Sequence, residues 1–468
     1  MFEATLSIDL GASYTKIARR SRLPDDSGVL QEAAKVLMVD NNPSNSPLIP
    51  SLAVWTRNAR QPWVFGWEAA KMNPTPDMQV FRNWKADLFR PHNDKDSATA
   101  VIVAHNFFVW LRAKLEAAGV DLKKCQTRIA MPAFETFDEK AGIIARCMDL
   151  SGWDDPSLIL KVREPHANTI GLFSKGRNLV SQNGETPNYG SIFGQDNPYT
   201  QAARGHTLFG THTNLVTVAV VDIGAFTTDI AALTFDVTRS ADGLSAIRQE
   251  SFAVGVINEL DRLLFAALAK RHGFSWSGIR FEESEQVKRR LYHGEVYPLL
   301  TKADGEDLNV QLGGDATDAS LINDHTQQFA ASVWDKIAPF IQNHHPEKVF
   351  LTGGGSLIPR VAEKLQNELS LLGISVGAVE GGIEPTESAR WLLWRQTGDG
   401  LQRLATAVGG ASVILQHGSE RVHDTSASPV RREPIILEQT GAITCRCQGG
   451  HKDCCFCNGR GEIMPPLR

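Results

Sequence analysis

A run of alternating apolar positions ends at Asp9, passes a Gly-centred turn and leaves as a second alternating run. The same pattern recurs around Asp222. Period-two alternation broken by a tight turn predicts a strand-turn-strand hairpin at each place. The copies also match residue by residue. Asp9-Leu-Gly-Ala-Ser-Tyr-Thr-Lys-Ile-Ala18 and Asp222-Ile-Gly-Ala-Phe-Thr-Thr-Asp-Ile-Ala231 share Asp9/Asp222, Gly11/Gly224, Ala12/Ala225, Thr15/Thr228, Ile17/Ile230 and Ala18/Ala231.

Around the hairpins the periodicity predicts strands at Ser51–Trp55, Thr127–Met131 and Leu158–Val162. Helical spacing predicts helices at Ser97–Leu115, Phe137–Ser151, Ile257–His272, Glu282–Tyr292 and Gln327–Asn343. A further strand, Val349–Thr352, runs through Gly353-Gly-Gly-Ser356 into a helix over Arg360–Leu372. Residues 174–216 are polar, rich in Gly, Asn and Thr, and lack a period. The pattern predicts a duplicated α/β architecture. Its parts are a first lobe at 1–173, an inserted loop at 174–216, a second lobe at 217–415, a linker at 416–443 and a Cys-rich tail at 444–468.

Composition narrows the function classes. The 468 residues are 42% hydrophobic and 22% charged, an ordinary globular balance. A net charge of −5 argues against a dedicated nucleic-acid binder. No stretch approaches the roughly 18 consecutive apolar residues of a membrane span. The first strand begins almost at Met1, so no signal peptide is expected and the cytoplasm is the expected location. Of seven cysteines, Cys125 and Cys147 stand alone within strand or helix patterns and are expected to be inert, while five fall between Cys445 and Cys457.

The chemistry follows from the repeat. Each turn offers small residues and free backbone amides, which suit close approach of a phosphate. The acid at the strand end suits a phosphate-bound metal. Two such hairpins facing each other would clamp one polyphosphate from both sides. The Gly353–Ser356 turn marks either close passage of a ligand or a simple helix start. Its spacing is not that of a dinucleotide fingerprint, and the chain has no Gly-Lys-Ser/Thr phosphate loop.

Together these segments resemble the actin, sugar-kinase and heat-shock-chaperone superfamily of ATPases, most closely the nucleotide-binding domain of the seventy-kilodalton heat-shock chaperones. Asp9-Leu-Gly11 is similar to the first phosphate motif and Asp222–Asp229 to the second. Glu164-Pro-His-Ala167 resembles the first connecting motif, and Gly353–Pro359 the adenosine motif. Ile49–Val54, Phe65–Lys71 and Ile129–Ala133 echo further chaperone segments in order. The resemblance implies a duplicated actin-like (ribonuclease-H-like) fold with Mg-ATP held between two lobes and hydrolysed slowly.

Roles follow from the resemblance. Asp9 and Asp222 would hold Mg²⁺ mostly through its water shell. Glu164 would hydrogen-bond a metal-bound or attacking water, and Lys85 would meet the γ-phosphate. Thr227 and Asp229 would position the γ-phosphate and that water. Gly11, Ala12, Ser13, Gly224, Ala225 and Phe226 would surround the phosphates. Glu285 and Lys288 would reach the ribose hydroxyls, Arg289 would stack on adenine, and Gly353, Gly354, Gly355 and Ser356 would approach the adenosine. Ala225-Phe226 stands where the chaperones have two glycines, and Leu357 where an arginine completes the adenine sandwich. About fifty residues replace their peptide-binding domain.

The implied activity is that of a chaperone-like ATPase switch acting on a protein partner or client, with a J-domain-type co-chaperone or a nucleotide exchange factor as candidates. Neither nucleic acid nor membrane is expected as a partner. An actin-like filament or scaffold, a metabolite kinase and a nucleotide-sensing adaptor are the alternatives. In the tail, Cys454-Cys-Phe-Cys457-Asn-Gly459-Arg-Gly461 resembles the zinc-binding repeat of DnaJ-type co-chaperones. Cys445, Cys447, Cys454 and Cys457 are the expected Zn²⁺ ligands, with Cys455 and His451 as alternates. Cys457→Ser is therefore expected to release bound zinc, measured by metal analysis of the purified chain. Zinc content equal to wild type would remove Cys457 from the ligand set.

Overall fold

The structure is a computed structural model that describes residues 2–21, 34–38, 47–57, 59–89, 95–133, 137–153, 159–174, 215–236, 244–253, 256–303, 306–377, 382–385, 391–395, 401–412, 443–444 and 462–463. It is a mixed α/β protein with several sheets. The first sheet contains β1 (Ala4–Leu10), β2 (Tyr14–Ser21), β3 (Lys35–Leu37), β4 (Cys125–Met131) and β5 (Leu160–Arg163). These lie in the order β3-β2-β1-β4-β5. The hairpin pairs are antiparallel, and β1, β4 and β5 run parallel. The second sheet contains β6 (Leu215–Ile223), β7 (Thr228–Asp236), β8 (Leu244–Phe252), β9 (Lys348–Thr352) and β10 (Ser375–Gly377). Its order is β8-β7-β6-β9-β10, with the same strand senses.

Both predicted hairpins are present, and their registers correspond. Leu10 pairs with Thr15 and Ile223 with Thr228, so Asp9 faces Lys16 and Asp222 faces Asp229 across the strands. The alternation read from the sequence also decides which face meets which helices. On β1, Ala4, Leu6, Ile8 and Leu10 join a core with Phe107 and Leu111 of α1 (Lys95–Ala117) and Ile144 and Met148 of α2 (Phe137–Leu150). On β6, Ala219, Val221 and Ile223 join a second core. That core includes Leu264 of α4 (Ile257–His272), Val333 of α6 (Ala316–His344) and Leu365 of α7 (Pro359–Leu371). All seven β1 residues are buried, as expected of a central strand covered on both faces.

The opposite faces of the two sheets share a third core, built on α3 (Glu164–Ser174) and α8 (Leu401–Ser412). Helix α3 leaves β5 of the first sheet yet packs on β6 and β7 of the second. Helix α8 packs on β1 and β2 of the first. Val218, Val220 and Ala231 on one side and Ala18 and Val162 on the other meet Ala167, Ile170, Leu404 and Val408 between them. The two helices touch backbone to backbone. A Cβ built on Gly409 would collide with the Ala167 carbonyl and lie 2.5 Å from Gly171 N, and one on Gly171 would lie 2.6 Å from the Ala405 carbonyl carbon.

Several boundaries differ from the sequence reading. Helix α6 begins at Ala316, well before Gln327, because the Asp315 carboxylate caps it by accepting 2.9 Å bonds from Thr317 N and Asp318 N. The strand expected at Ser51–Trp55 is Ala53–Thr56, preceded by a separate pair, Ile49–Pro50, on β2. A hairpin of Tyr297–Ala303 with Glu306–Leu312 lies ahead of α6. The zinc ligands and nearly all of 174–216 lie outside the described residues. Ile443–Thr444 pairs antiparallel with Glu462–Ile463, which brings the flanks of the Cys-rich segment together. Cys125 and Cys147 are buried and not disulfide-bonded. No helix among the described residues is long and apolar enough to cross a membrane.

Gly409→Ala is expected to destabilise the protein by about 2–3 kcal/mol or more, because overpacking against a backbone carbonyl outweighs the roughly 1 kcal/mol that alanine gains in a helix. Gly142→Ala in α2, where a Cβ meets nothing within 4 Å, is expected to stabilise by about 0.5–1 kcal/mol. Urea unfolding of both variants checks the pair. Equal, small effects would show that the helix contact tolerates a side chain.

Candidate functional site

A cavity of about 800 Å³ opens between the two halves. The turn after β1 contributes Gly11, Ala12 and Ser13, and the turn after β6 contributes Gly224, Ala225, Phe226 and Thr227. The turn after β9 adds Gly353 and Gly354. Asp9, Asp222 and Asp229 enter from the strands. Lys85, Glu164, Glu285, Lys288 and Arg289 enter from helices. Nearly every residue predicted from the sequence thus lines one space. Gly355 and Ser356 do not: Gly355 packs against Ile223, and the Ser356 hydroxyl donates to the Gly353 carbonyl at 2.8 Å.

Each turn is held by a local device. The Ser51 hydroxyl donates to the Gly11 carbonyl at 2.6 Å and lies 2.9 Å from the Thr15 hydroxyl. Gly224 N donates to Thr227 O at 2.9 Å, closing the second turn. Gly353 has φ +80°, and a Cβ there would collide with the Asp222 carboxylate. Only glycine permits that backbone so close to the acid.

One end of the cavity is dense in buried charge. Lys16 Nζ meets Asp9 Oδ2 at 2.9 Å, and Lys85 Nζ meets Glu164 Oε1 at 2.7 Å. Lys85 and Glu164 are both buried. Lys85 is turned inward by a short helix, Trp84–Leu88, that starts from Asn83 in the left-handed region and buries Trp84 beside it. Asn168, one helical turn beyond Glu164, donates to Asp222 Oδ2 at 2.6 Å and to the Thr406 hydroxyl at 3.1 Å. Its carbonyl accepts from the Thr352 hydroxyl at 3.2 Å. Asp229 accepts from Thr227 at 2.9 Å and from Ser251, whose hydroxyl also accepts from Ala133 N of the first half at 2.6 Å.

Burial pushes the Asp222 carboxyl up to about 7. Asp9 and Glu164 push the same way, while Lys16 and the Asn168 amide pull it down. Burial raises Asp229 well above the carboxylate range, and Glu164 and Asp222 add to the rise. Glu164 is also raised by burial, against the pull of Lys85. Four acids and two lysines thus crowd this end of the cavity.

The other end holds a second network. Lys288 Nζ bridges Asp261 Oδ2 and Glu285 Oε1, each at 2.6 Å. The Tyr14 hydroxyl, from the first hairpin, donates to Glu285 Oε2 at 2.9 Å. Burial alone would raise Glu285, but Lys288, Tyr14 and Arg403 bring it below its ordinary value. Burial would lower Lys288, but its two carboxylates raise it. Phe226 is half-buried and stacks on Phe89 of the first half, with centroids 6.0 Å apart and planes 22° apart.

Sequence reading missed Lys16, Asn168, Tyr14, Asp261 and Arg403, all in or against the cavity. A signal existed for two of them. Lys16 occupies in the first hairpin the register position of Asp229 in the second, and Asn168 lies at the i+4 position from Glu164. Among the described residues, no group of three or more His, Cys, Asp or Glu side chains is arranged to ligate a metal directly. Asp9 and Asp222 are hard oxygen donors suited to a hydrated Mg²⁺, which holds its waters tightly. No protein-family model matches this chain, and no curated protein does.

The buried Lys85–Glu164 pair makes a test independent of any ligand. Lys85→Met leaves Glu164 buried without its cation and is expected to cost about 3–5 kcal/mol. Adding Glu164→Gln is expected to recover most of that loss. Urea unfolding of the two single variants and the double variant measures the coupling; additive losses would mean the pair is not coupled.

Proposed function

We propose that this chain is a two-lobed, actin-like ATPase, closest to the nucleotide-binding domain of the seventy-kilodalton heat-shock chaperones. It binds Mg-ATP between its halves and hydrolyses it slowly as a conformational switch for a protein partner in the cytoplasm. The observation that carries the reading is the meeting of three glycine-bearing turns at one cavity, two of them repeats of a single sequence and strand pattern. Its volume of about 800 Å³ suits a nucleotide-sized ligand.

Asp9 and Asp222 would hold Mg²⁺, which when bound offsets phosphate charge and orients the terminal phosphoryl group. The turn amides after β1 and β6 would bind phosphate oxygens from opposite sides. Lys16 and Lys85 would add positive charge beside them. Glu164, Thr227 and Asp229 would hold and orient the attacking water. Glu285, Lys288 and Arg289 would face the nucleoside.

Contacts between the two halves support a switch. Besides Tyr14–Glu285 and Ala133–Ser251, Arg82 donates to the Ile279 carbonyl at 3.1 Å. A ligand touching both walls would favour this closed arrangement by its extra affinity for it. A J-domain-type partner or nucleotide exchange factor would act on that equilibrium, and the zinc-binding tail would offer a docking surface.

A second reading, an adaptor that senses ATP with little turnover, is favoured by Phe226. Its ring takes the place of a glycine beside Asp222 and packs across to Phe89. Titration calorimetry with Mg-ATP, followed by phosphate release, separates the two readings. Asp222→Ala is expected to weaken Mg-ATP binding at least about tenfold, the loss of roughly one charge-assisted contact. Binding without phosphate release selects the adaptor, and no binding by wild type overturns both.

A further inference from the structure

The ring of Phe226 leaves the second half of the molecule and packs on the first. It lines the cavity, stacks on Phe89 with centroids 6.0 Å apart, and joins the edge of the core under the first sheet. Phe89 is a fixed partner. It is the C-terminal cap of the short helix Trp84–Leu88 and is buried in that core. Its carbonyl accepts from Lys140 Nζ of α2 at 2.6 Å. The same short helix carries Lys85, and Thr227 follows Phe226 in the turn. The stacked rings therefore stand at the charged end of the cavity.

The groups beside the rings have almost no surface to offer a ligand. Lys85 is 2% exposed, Asp229 3% and Thr227 4%. They are also satisfied by one another. Glu164 holds Lys85 at 2.7 Å, and Asp229 accepts from Thr227 and Ser251. Charge points the same way, because Lys16 and Lys85 are each already paired with an acid there. The turns after β1 and β6 differ: Gly11, Ser13, Gly224 and Ala225 line the cavity and are partly exposed. Surface for an anion thus exists along the two turns and ends at the Phe226 ring.

We propose that the cavity in this arrangement is selective for a nucleoside diphosphate over a triphosphate, and that Phe226 sets the selectivity. The proposal rests on the nucleotide reading above and names the ligand class that the closed arrangement holds. Two phosphoryl groups lie along the exposed turns, whereas a third needs the space beside Lys85 that the ring closes. A triphosphate gains that space only when Phe226 leaves Phe89, which breaks a contact between the halves. Losing a stacked aromatic pair costs up to about tenfold in affinity, and the loss falls on the triphosphate alone. The position of one ring thereby reports whether the third phosphoryl group is present.

The test compares ligands that differ by one phosphoryl group. Titration calorimetry is run with Mg-ADP and with the β,γ-methylene analogue of Mg-ATP, which is not hydrolysed between its last two phosphorus atoms. The proteins are wild type, Phe226→Ala and Phe226→Tyr, with thermal unfolding of each to report the fold. Wild type is expected to bind the diphosphate about tenfold more tightly than the analogue. Phe226→Ala is expected to bring the two within about twofold by tightening the analogue, and Phe226→Tyr, which keeps the ring, to retain the wild-type ratio. The wild-type ratio tests the selectivity without any variant: an analogue bound as tightly as the diphosphate overturns it. A diphosphate preference that folded Phe226→Ala keeps in full overturns the role of Phe226 and leaves the nucleotide reading standing. A wild type that binds neither ligand overturns that reading and this proposal together.

Discussion

Everything in this molecule that faces the cavity depends on two helices approaching closer than side chains allow. At Gly171 and Gly409 the backbones of α3 and α8 meet directly, and any Cβ there collides with a carbonyl or amide of the partner helix. Because α3 comes from the first sheet and packs on the second, while α8 packs on the first, that contact sets the distance between the sheets. Their paired hairpins then end at a common space. A wider helix pair would separate Asp9 from Asp222 and open the span bridged by Asn168, Thr352 and Thr406. The repeated Asp turns have one site to share only because of a packing contact behind them.

The two hairpins are alike in backbone and unlike in charge. Asp9 faces Lys16 in register, an acid–base pair across the strands. Asp222 faces Asp229, two acids in the equivalent positions. Like charges directly opposite on a sheet are unfavourable, and both of these are largely removed from water. The structure answers with neutral donors: Asn168 for Asp222, Thr227 and Ser251 for Asp229. Burial raises both carboxyls, and those donors pull against it without overcoming it. One wall of the cavity is locally compensated and the other waits for positive charge. That asymmetry suits a hydrated cation shared between the walls, with phosphate oxygens on the amide-lined turns.

Much of this was legible in the chain because it is local. Period-two runs around a Gly-centred turn specify a hairpin without help from elsewhere, and α4 has the boundaries its helical spacing announces. The start of α6 was illegible for an opposite reason. Ala316–Thr326 is polar and reads as loop until Asp315 is seen capping it and Ile322 is seen buried. The cavity residues divide the same way. Those carried on repeated or glycine-marked segments were found, whereas Tyr14, Asp261 and Arg403 have meaning only through partners or walls supplied by distant segments. Gly355 and Ser356 lie off the cavity: they continue a glycine run that meets its wall with Gly353 and Gly354.

The Glu285 end of the cavity is already occupied by the protein's own interactions, and this bears on how a ligand would act. Glu285 carries Lys288 and Tyr14, and Lys288 carries Asp261. A sugar hydroxyl arriving there would exchange one hydrogen bond for another and gain little net free energy. On the proposed nucleotide reading, affinity would then come from the turn amides and from aromatic surface, while the polar network supplies discrimination. Because Tyr14 belongs to the first hairpin and Glu285 to α5 (Phe281–Tyr292) of the second half, any exchange at Glu285 alters a contact that spans the cavity. Ligand identity and the contact between the two halves would thus be read by the same carboxylate.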